Sequence, residues 1–443
     1  MSLVEVQIDR LVGPTHHFGG LGVGNLASKS HSGQVSNPAA AAIQGLEKMK
    51  LVASLGVPQW VLPPQQRPDW TLLRSLGFAG SDRDVLRDAR DRSPELLSAA
   101  SSSSAMWTAN AATVTVGNDG DRWGTDVSIA NLSSSLHRCI EWQQTEADLR
   151  AILPSSVRVH SPLMGGAAMR DEGAANHMRL GHVDAPEFVD VFVYGDQDPL
   201  PQNFMPRQTL ASFQAIDRRH QWDRPQRSAG HAVFLKQHPR AIDAGAFHND
   251  VVAISHHDLM IHHQFAFADN DAAMELLDRR CVEVTGRPVV RVQVADDQLT
   301  MDEAIATYLF NSQVVSVGAD DAPPVMICPV QVDRSAAARG LVDRWQSEGL
   351  ISRVQFVDLG QSMAGGGGPA CLRLRVPMQP EDVDAMSPAS RWTPELHDRL
   401  CQIIHDGYPK AVSWDELASI DFVNAAKRVR DQVAESLGCE MRS

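Results

Sequence analysis

The sequence predicts a mixed α/β fold assembled from repeated units, and three observations carry that expectation. Helical and strand-like patterns alternate along the whole chain, as they do in α/β and α+β architectures. Five places bring a small or polar residue straight into a β-rich stretch: 110–116 (NAATVTV), 171–176 (DEGAAN), 248–254 (HNDVVAI), 311–317 (NSQVVSV) and 371–376 (CLRLRV). With Asn110, Glu172, His248, Asn311 and Cys371 as markers, the separations are 62, 76, 63 and 60 residues, so similar supersecondary units recur. Finally, 443 residues that are 43% hydrophobic and 21% charged can fill a large core, which excludes disordered and collagen-like chains. At about 150 residues per domain, length alone allows three domains as readily as one large core.

Taken in order, the first ten residues alternate apolar and polar positions like a strand, without the basic start and apolar run of a secretion signal. Asn37 followed by Pro38 predicts a helix start, and Ile43, Leu46, Met49, Val52 and Ala53 continue it with helical spacing to Gly56. Residues 57–65 read as a short strand closed by a proline turn, and 95–116 pass through the serines at 101–104 into another strand. Further strands are expected at 188–194, 288–294 and 354–358, with amphipathic helices at 333–348 and 394–406. Of the five markers, only Glu172 lacks a strong strand pattern directly after it.

No run of about 18 apolar residues occurs, so no membrane-spanning helix is expected. Forty Lys and Arg against 54 Asp and Glu give a net charge of -14, which argues against nucleic acid and anionic membranes as partners. The six cysteines are scattered singly, without paired C-x-x-C spacing, and are expected as free thiols in a reducing cytoplasm.

Residues 363–371 (MAGGGGPAC) are the most informative segment. Glycines let the backbone approach a ligand closely, and Cys371 sits where the loop meets a strand. Both a nucleophile and a buried structural thiol fit that placement. The Gly-Lys-Ser/Thr ending of a phosphate loop is absent. If 247–250 (FHND) is strand, His248 and Asp250 share a face and place an imidazole beside a carboxylate, for proton transfer and cation binding or as a plain ion pair. Asp171 and Glu172 offer carboxylates that could orient a histidine or grip a guanidinium. The histidine pairs at 16–17, 256–257 and 262–263 lack a zinc-site arrangement, so no metal is expected. Residues 19–25 (GGLGVGN) run on into Leu26, Ala27 and Ser28 with no amphipathic helix to receive a pyrophosphate, which favours a substrate-covering loop over a dinucleotide site. His137, Arg138 and Arg207 are candidate donors to carboxylates.

These segments, together with 13–21 (GPTHHFGGL), 34–38 (QVSNP), 106–113 (MWTANAAT), 307–313 (TYLFNSQ) and 366–376 (GGGPACLRLRV), resemble the N-succinylarginine dihydrolase family of the guanidino-group-modifying superfamily over nearly the whole chain. The resemblance implies a pentein fold, a five-fold pseudosymmetric propeller of ββαβ-type modules forming one catalytic domain over 1–443. It implies Cys371 as nucleophile, His248 as general acid/base and Glu172 as its carboxylate partner. It implies substrate contacts from Gly19, Gly20, Leu21, Gly22, Val23, Gly24, Asn25, Leu26, Ala27, Ser28, Asn110, His137, Arg138, Arg207, Asp250 and Gly365. Related enzymes typically carry Asn where this chain has Gly365, so a side-chain contact there is lost or replaced by backbone or water. The implied reaction takes N-succinylarginine and two waters to N-succinylornithine, two ammonia and carbon dioxide, without cofactor, in a cytoplasmic homodimer. A deiminase that stops after one cycle and a noncatalytic ligand-binding pentein are the alternatives.

Overall fold

The computed structural model describes residues 3–118, 122–182, 185, 187–222, 230–318 and 322–439. Its strands are Val4–Arg10 (β1), Gln59–Leu62 (β2), Ala112–Asn118 (β3), Trp123–Ile129 (β4), Arg158–His160 (β5), His177–Leu180 (β6), Val189–Tyr194 (β7), Ala232–Lys236 (β8), Ala253–His256 (β9), Leu259–His263 (β10), Val290–Val294 (β11), Gln313–Val315 (β12), Val325–Pro329 (β13), Arg353–Val357 (β14) and Arg373–Met378 (β15). They form five three-stranded sheets, β3-β4-β5, β6-β7-β8, β9-β10-β11, β12-β13-β14 and β15-β1-β2. In each sheet the first strand pairs antiparallel with the second, and the second pairs parallel with the third. A parallel pair needs a crossover, and helices supply it each time, as Trp142–Ile152 does between β4 and β5. The fifth module is closed by pairing β15, the last strand, with β1, the first.

Local sequence explains the elements. Asn37 caps the helix Pro38–Ser54 by accepting the Ala40 N–H at 2.9 Å, with proline in the first turn where its missing N–H costs nothing. The run 189–194 (VDVFVY) alternates, yet both faces are covered. Val189, Val191 and Val193 pack with Met274, Leu277 and Cys281 of the helix Asn270–Thr285, while Phe192 packs on Phe213 and Ile216 of the helix Leu210–Gln221. Each such side chain contributes about 1.5–3 kcal/mol of burial, and the one charge the strand carries, the buried Asp190, is paired with His177 Nε2 at 2.9 Å.

Every first strand is preceded by a tight turn, and the five turns meet. Thr108–Asn110, Gly173–Asn176, Asn249–Val251 and Leu309–Asn311 are single 3-10 turns, and the fifth turn ends at Cys371 and Leu372, just before β15. Asn110 Nδ2 donates to Glu172 O (2.8 Å), the Asn249 N–H to Asn176 Oδ1 (2.7 Å) and Asn311 Nδ2 to Asp250 O (3.3 Å). The Ala370 N–H donates to Asn311 O (2.9 Å) and the Ala109 N–H to Cys371 O (3.0 Å), completing a ring.

Four local expectations are corrected. Glu172 does lead into a strand, β6, whose short burial alternation is too weak to stand out in sequence. Residues 249–251 form a turn rather than a strand, so pleat alternation does not place His248 and Asp250; His248 meets Glu172 and Asp250 meets Cys371. The stretch 333–348 is divided between the helices Val330–Arg334 and Ala336–Ser347, because Ser335 leaves helical backbone and caps the second by accepting the Ala338 N–H. The 19–28 segment does enter a helix, Leu26–Ser30, though one of only five residues.

Candidate active site

Three modules supply the reactive groups. Cys371 is brought to the ring centre by the glycine loop ahead of it. At Gly366, φ is +103° and a Cβ would lie 1.9 Å from Asn25 Nδ2, so only glycine fits. Asn25 in turn donates to Gly366 O at 3.3 Å and caps the helix Leu26–Ser30, which ties the 19–28 loop to the cysteine loop. His248 enters from extended backbone, and its Nε2 lies 2.7 Å from Glu172 Oε2. Glu172 Oε2 also accepts from Arg138 Nη1 at 3.1 Å, with Arg207 Nη1 at 3.8 Å, and Ser134 Oγ donates to its other oxygen. Gln208 fixes the Glu172 main chain by accepting its N–H at 2.8 Å.

The hydrogen bonds define the protonation pattern. A carboxylate on Nε2 keeps the proton there, so the neutral His248 ring presents Nδ1 as a lone pair, and that atom is buried without a hydrogen-bond partner. Burial lowers His248 to about 4, with the Glu172 contact opposing it. For Glu172, burial pushes upward, but Arg138, the His248 hydrogen bond and Arg207 outweigh it and hold the carboxyl well below its usual range. Burial raises Asp250 to about 7, and burial together with the Asp250 charge pushes the Cys371 thiol well above its ordinary value. The thiol lies 3.5 Å from Asp250 Oδ2, while Asp250 Oδ1 is buried and unpartnered. In this state the sulfur is protonated, beside a carboxyl poised to change charge.

A cavity opens above these groups. It is lined by Gly19, Gly20, Leu21, Gly22, Asn25, Ser28, Asn110, His137, Arg138, Arg207, His248, Gly365 and Cys371 among the expected residues, so most of the implied set is gathered in one place. Glu172 stands behind His248 and Arg138, and Asp250 lies beneath the thiol. Val23, Gly24, Leu26 and Ala27 do not line the cavity. Val23 O accepts both Nε and Nη2 of Arg207, Gly24 backs onto Phe204 and Phe247, and Leu26 and Ala27 face a separate groove. Arg207 also stacks over Phe247 at 4.6 Å, and burial lowers it to about 10. Arg138 Nε and Nη2 are buried without partners. A Cβ at Gly365 would approach Trp107 to 3.0 Å, so the tryptophan occupies the space that a larger residue there would need.

Sequence reasoning passed over several residues. His16, Trp107 and Ser103 line the same cavity, and Ser134 and Gln208 hold Glu172. Asn311 served as a repeat marker but not as a site residue, although Asn110, Glu172, His248 and Cys371 occupy matching turns; the repeat was the signal that could have found it. The histidine pairs have other employment: His17 Nε2 meets Ser98 Oγ, His256 and His257 share Ser316 Oγ, and His263 Nε2 meets Leu299 O. Among the described residues, no three His, Cys, Asp or Glu side chains gather into a metal-holding group.

Five ββαβ-type modules around a shared cysteine-histidine-carboxylate centre define the pentein class. The N-terminal domain of ArgZ, a cyanobacterial arginine dihydrolase crystallised with product, matches with a TM-score of 0.52 over 84% of this chain and 97% of that one, at 14% identity. A cysteine-to-serine variant of the same domain with substrate gives 0.50 over 84% and 98%, at 15% identity. Sequence carries the assignment further. The succinylarginine dihydrolase family profile matches residues 2–441. N-succinylarginine dihydrolase of Acinetobacter baumannii is 40% identical over 446 residues (99% of this chain, 98% of that one), and N-succinylarginine dihydrolase 2 of Caulobacter vibrioides is 41% identical over 443 (99% and 97%). This chain belongs to the succinylarginine dihydrolase family.

Proposed function

We propose that this protein hydrolyses N2-succinyl-L-arginine with two waters to N2-succinyl-L-ornithine, two ammonia and carbon dioxide, through a covalent intermediate on Cys371. The observation that carries the reading is the 2.7 Å His248–Glu172 contact, which leaves a free imidazole nitrogen in the cavity that holds the only thiol among its lining residues. Family membership supplies the substrate, and the named relatives are N-succinylarginine dihydrolases.

The chemistry follows from the charges. Asp250 is suited to accept guanidinium N–H groups, and a cation placed over the sulfur offsets the burial that keeps the thiol protonated. The thiol proton passes to His248 Nδ1, and the thiolate adds to the guanidinium carbon. His248 then protonates a departing nitrogen, ammonia leaves, and the carbon remains bonded to Sγ. A water that loses its proton to Nδ1 displaces the sulfur and yields the ureido group. The second cycle adds sulfur to the ureido carbon, expels another ammonia and leaves a thiocarbamate. Water releases this as a carbamate, which loses carbon dioxide to give the amine. Glu172 supports the imidazolium in both cycles and keeps Nδ1 facing the reaction. The unpartnered donors of Arg138, and Arg207 released from Val23 O, are the groups we assign to the α- and succinyl carboxylates.

The proposal takes residues 1–443 as one catalytic unit, since the ring of turns is broken if any module is missing. It also takes the protein as a cytoplasmic homodimer by family resemblance. No described helix is long and apolar enough to cross a membrane, and sedimentation of the purified protein decides the oligomeric state. The decisive experiment follows ammonia and N-succinylcitrulline together. Two ammonia per substrate with only transient citrulline derivative is expected. One ammonia with stable N-succinylcitrulline would make the protein a deiminase, and no ammonia from any guanidine would leave it a binding protein.

A further inference from the structure

Four of the five turns that meet at the ring carry residues placed in the site. The remaining turn, Leu309–Asn311, carries Asn311, which is fully buried. Its amide is fastened at both ends. Asn311 Oδ1 accepts the Cys371 main-chain N–H at 3.3 Å, while Nδ2 lies 3.3 Å from Asp250 O and 3.2 Å from Cys371 Sγ. An amide can be turned end for end, so the assignment of its two atoms has to be argued. Here it is forced from both sides. A main-chain N–H can only donate and a main-chain carbonyl can only accept, so oxygen must face Cys371 N and nitrogen must face Asp250 O. The one N–H that remains faces the sulfur, beside the Asp250 carboxyl.

The surroundings keep the amide there. Tyr308, which precedes the turn, holds φ at +52°, a conformation that costs a non-glycine residue about 1–3 kcal/mol and is retained only where the packing demands it. A Cβ at residue 368 would fall 2.7 Å from Asn311 Oδ1, so glycine there makes room for the amide. The other ionisable groups about the sulfur are Asp250 at 3.5 Å, the buried Tyr308 phenol, and His248, Arg138 and Arg207 across the cavity. Among hydrogen bonds of the described residues, Asn311 is the only side-chain donor to Cys371 Sγ.

We infer that Asn311 is a catalytic residue of this site, whose amide N–H stabilises the Cys371 thiolate and aims its attack. The inference rests on the reading of Cys371 as the nucleophile. A neutral amide suits this duty: it favours the anion on sulfur without competing for the thiol proton, and it stays in place while the sulfur alternates between thiolate and covalent adduct. It also opposes the adjacent Asp250 carboxylate, which disfavours that anion.

The test uses the full-length protein and reads the thiol separately from turnover. Iodoacetamide labelling of the Cys371 peptide, followed by mass spectrometry across pH, reports thiolate formation without substrate. Steady-state kinetics on N-succinylarginine give kcat and KM. Asn311→Ala should move the labelling midpoint upward by about one pH unit and lower kcat about 10- to 100-fold with KM within about threefold. Asn311→Asp keeps an acceptor for the Cys371 N–H but puts negative charge on the sulfur, so its midpoint should rise further. Unchanged labelling profiles, a loss confined to KM, or collapse of both variants in a thermal melt would each make Asn311 structural only and overturn the inference. Retained turnover in Cys371→Ser would instead overturn the nucleophile assignment, so the two failures are distinguishable.

Discussion

Two carboxylates near opposite ends of the first strands, Glu172 fully buried and Glu5 with 21% of its side chain exposed, have similar arginine partners and different chemistry. Glu172, in the turn before β6, is held by Arg138 at 3.1 Å and Arg207 at 3.8 Å; Glu5, on β1, is held by Arg375 at 2.6 Å and Arg179 at 3.6 Å, the latter at the far end of β6. Each carboxyl is driven below its usual range by its arginines against the pull of burial, and each has histidines nearby. At Glu5 the histidines His256 and His257 are bonded to Ser316, and no cysteine lines the adjoining cavity. At Glu172 the histidine is bonded to the carboxylate itself, its second nitrogen is free, and a thiol shares the cavity. A carboxylate gripped by two guanidiniums is thus not itself a reactive site. What separates the two ends is a nucleophile together with an imidazole whose proton is steered by the carboxylate.

That contrast is open to attack by substitution, and the largest effect is expected at the sulfur. Cys371→Ser should fold and lose turnover by about a thousandfold or more, since a hydroxyl ionises far less readily than a thiol. Serine at each of the other five cysteines should leave kcat within about twofold. Ammonia release from the six single variants decides this, and a nearly active Cys371→Ser would remove the proposed mechanism.

Next come the two carboxylates. Glu172→Gln should lower kcat by about 100-fold or more, because an amide no longer supports the imidazolium or fixes its tautomer. Glu5→Gln should keep kcat within about threefold while lowering stability by about 1–3 kcal/mol through the loss of its arginine pairs. Comparable losses of activity from both changes would erase the distinction drawn between the two ends; kcat and urea midpoints measured side by side show whether it stands.

A smaller effect concerns substrate discrimination. Arg207→Ala removes one buried cation from the cavity wall and should lower kcat/KM for N-succinylarginine by about 10- to 100-fold, with much less change for free arginine, so the preference between them shrinks. Equal losses on both substrates would assign Arg207 to the support of Glu172 alone.

The smallest expected effect is on stability against pH. His16, His248, His257 and His262 are held down to about 3–4 by burial against 6.5 in the unfolded chain, so between roughly pH 4 and 6.5 the unfolded state binds more protons at these positions. Stability from these groups is full above pH 6.5 and falls as pH drops through that window. Asp171 and Asp250, held up to about 7, act in the opposite sense, as do Asp9 and Glu141, but burial also lowers His17, His137, His238, His256 and His263, so among the described residues four acids stand against nine histidines. The melting temperature should therefore fall by on the order of 5 °C between pH 7 and 5. A rise over that interval would show that the carboxyls outweigh the histidines.

Much of the architecture was legible because hydrophobic period and capping are local. The helix at 38–54, the strand at 189–194 and the recurring entry of polar residues into β-rich runs are all written in neighbouring residues, and the repeat indicated five related units before any pairing was known. Local pattern also misled where a turn mimicked a strand, as at 249–251, because alternation of small and polar residues does not distinguish extended backbone from a 3-10 turn. The tertiary structure alone decided which turn residues meet. His248 and Glu172 are 76 positions apart and touch at 2.7 Å, and Asn311 reaches Cys371 across 60. It also decided their charge. Proton affinity depends on burial and on neighbours drawn from other modules, so a carboxyl near 7 at Asp250 and an imidazole near 4 at His248 have no signature in the order of residues.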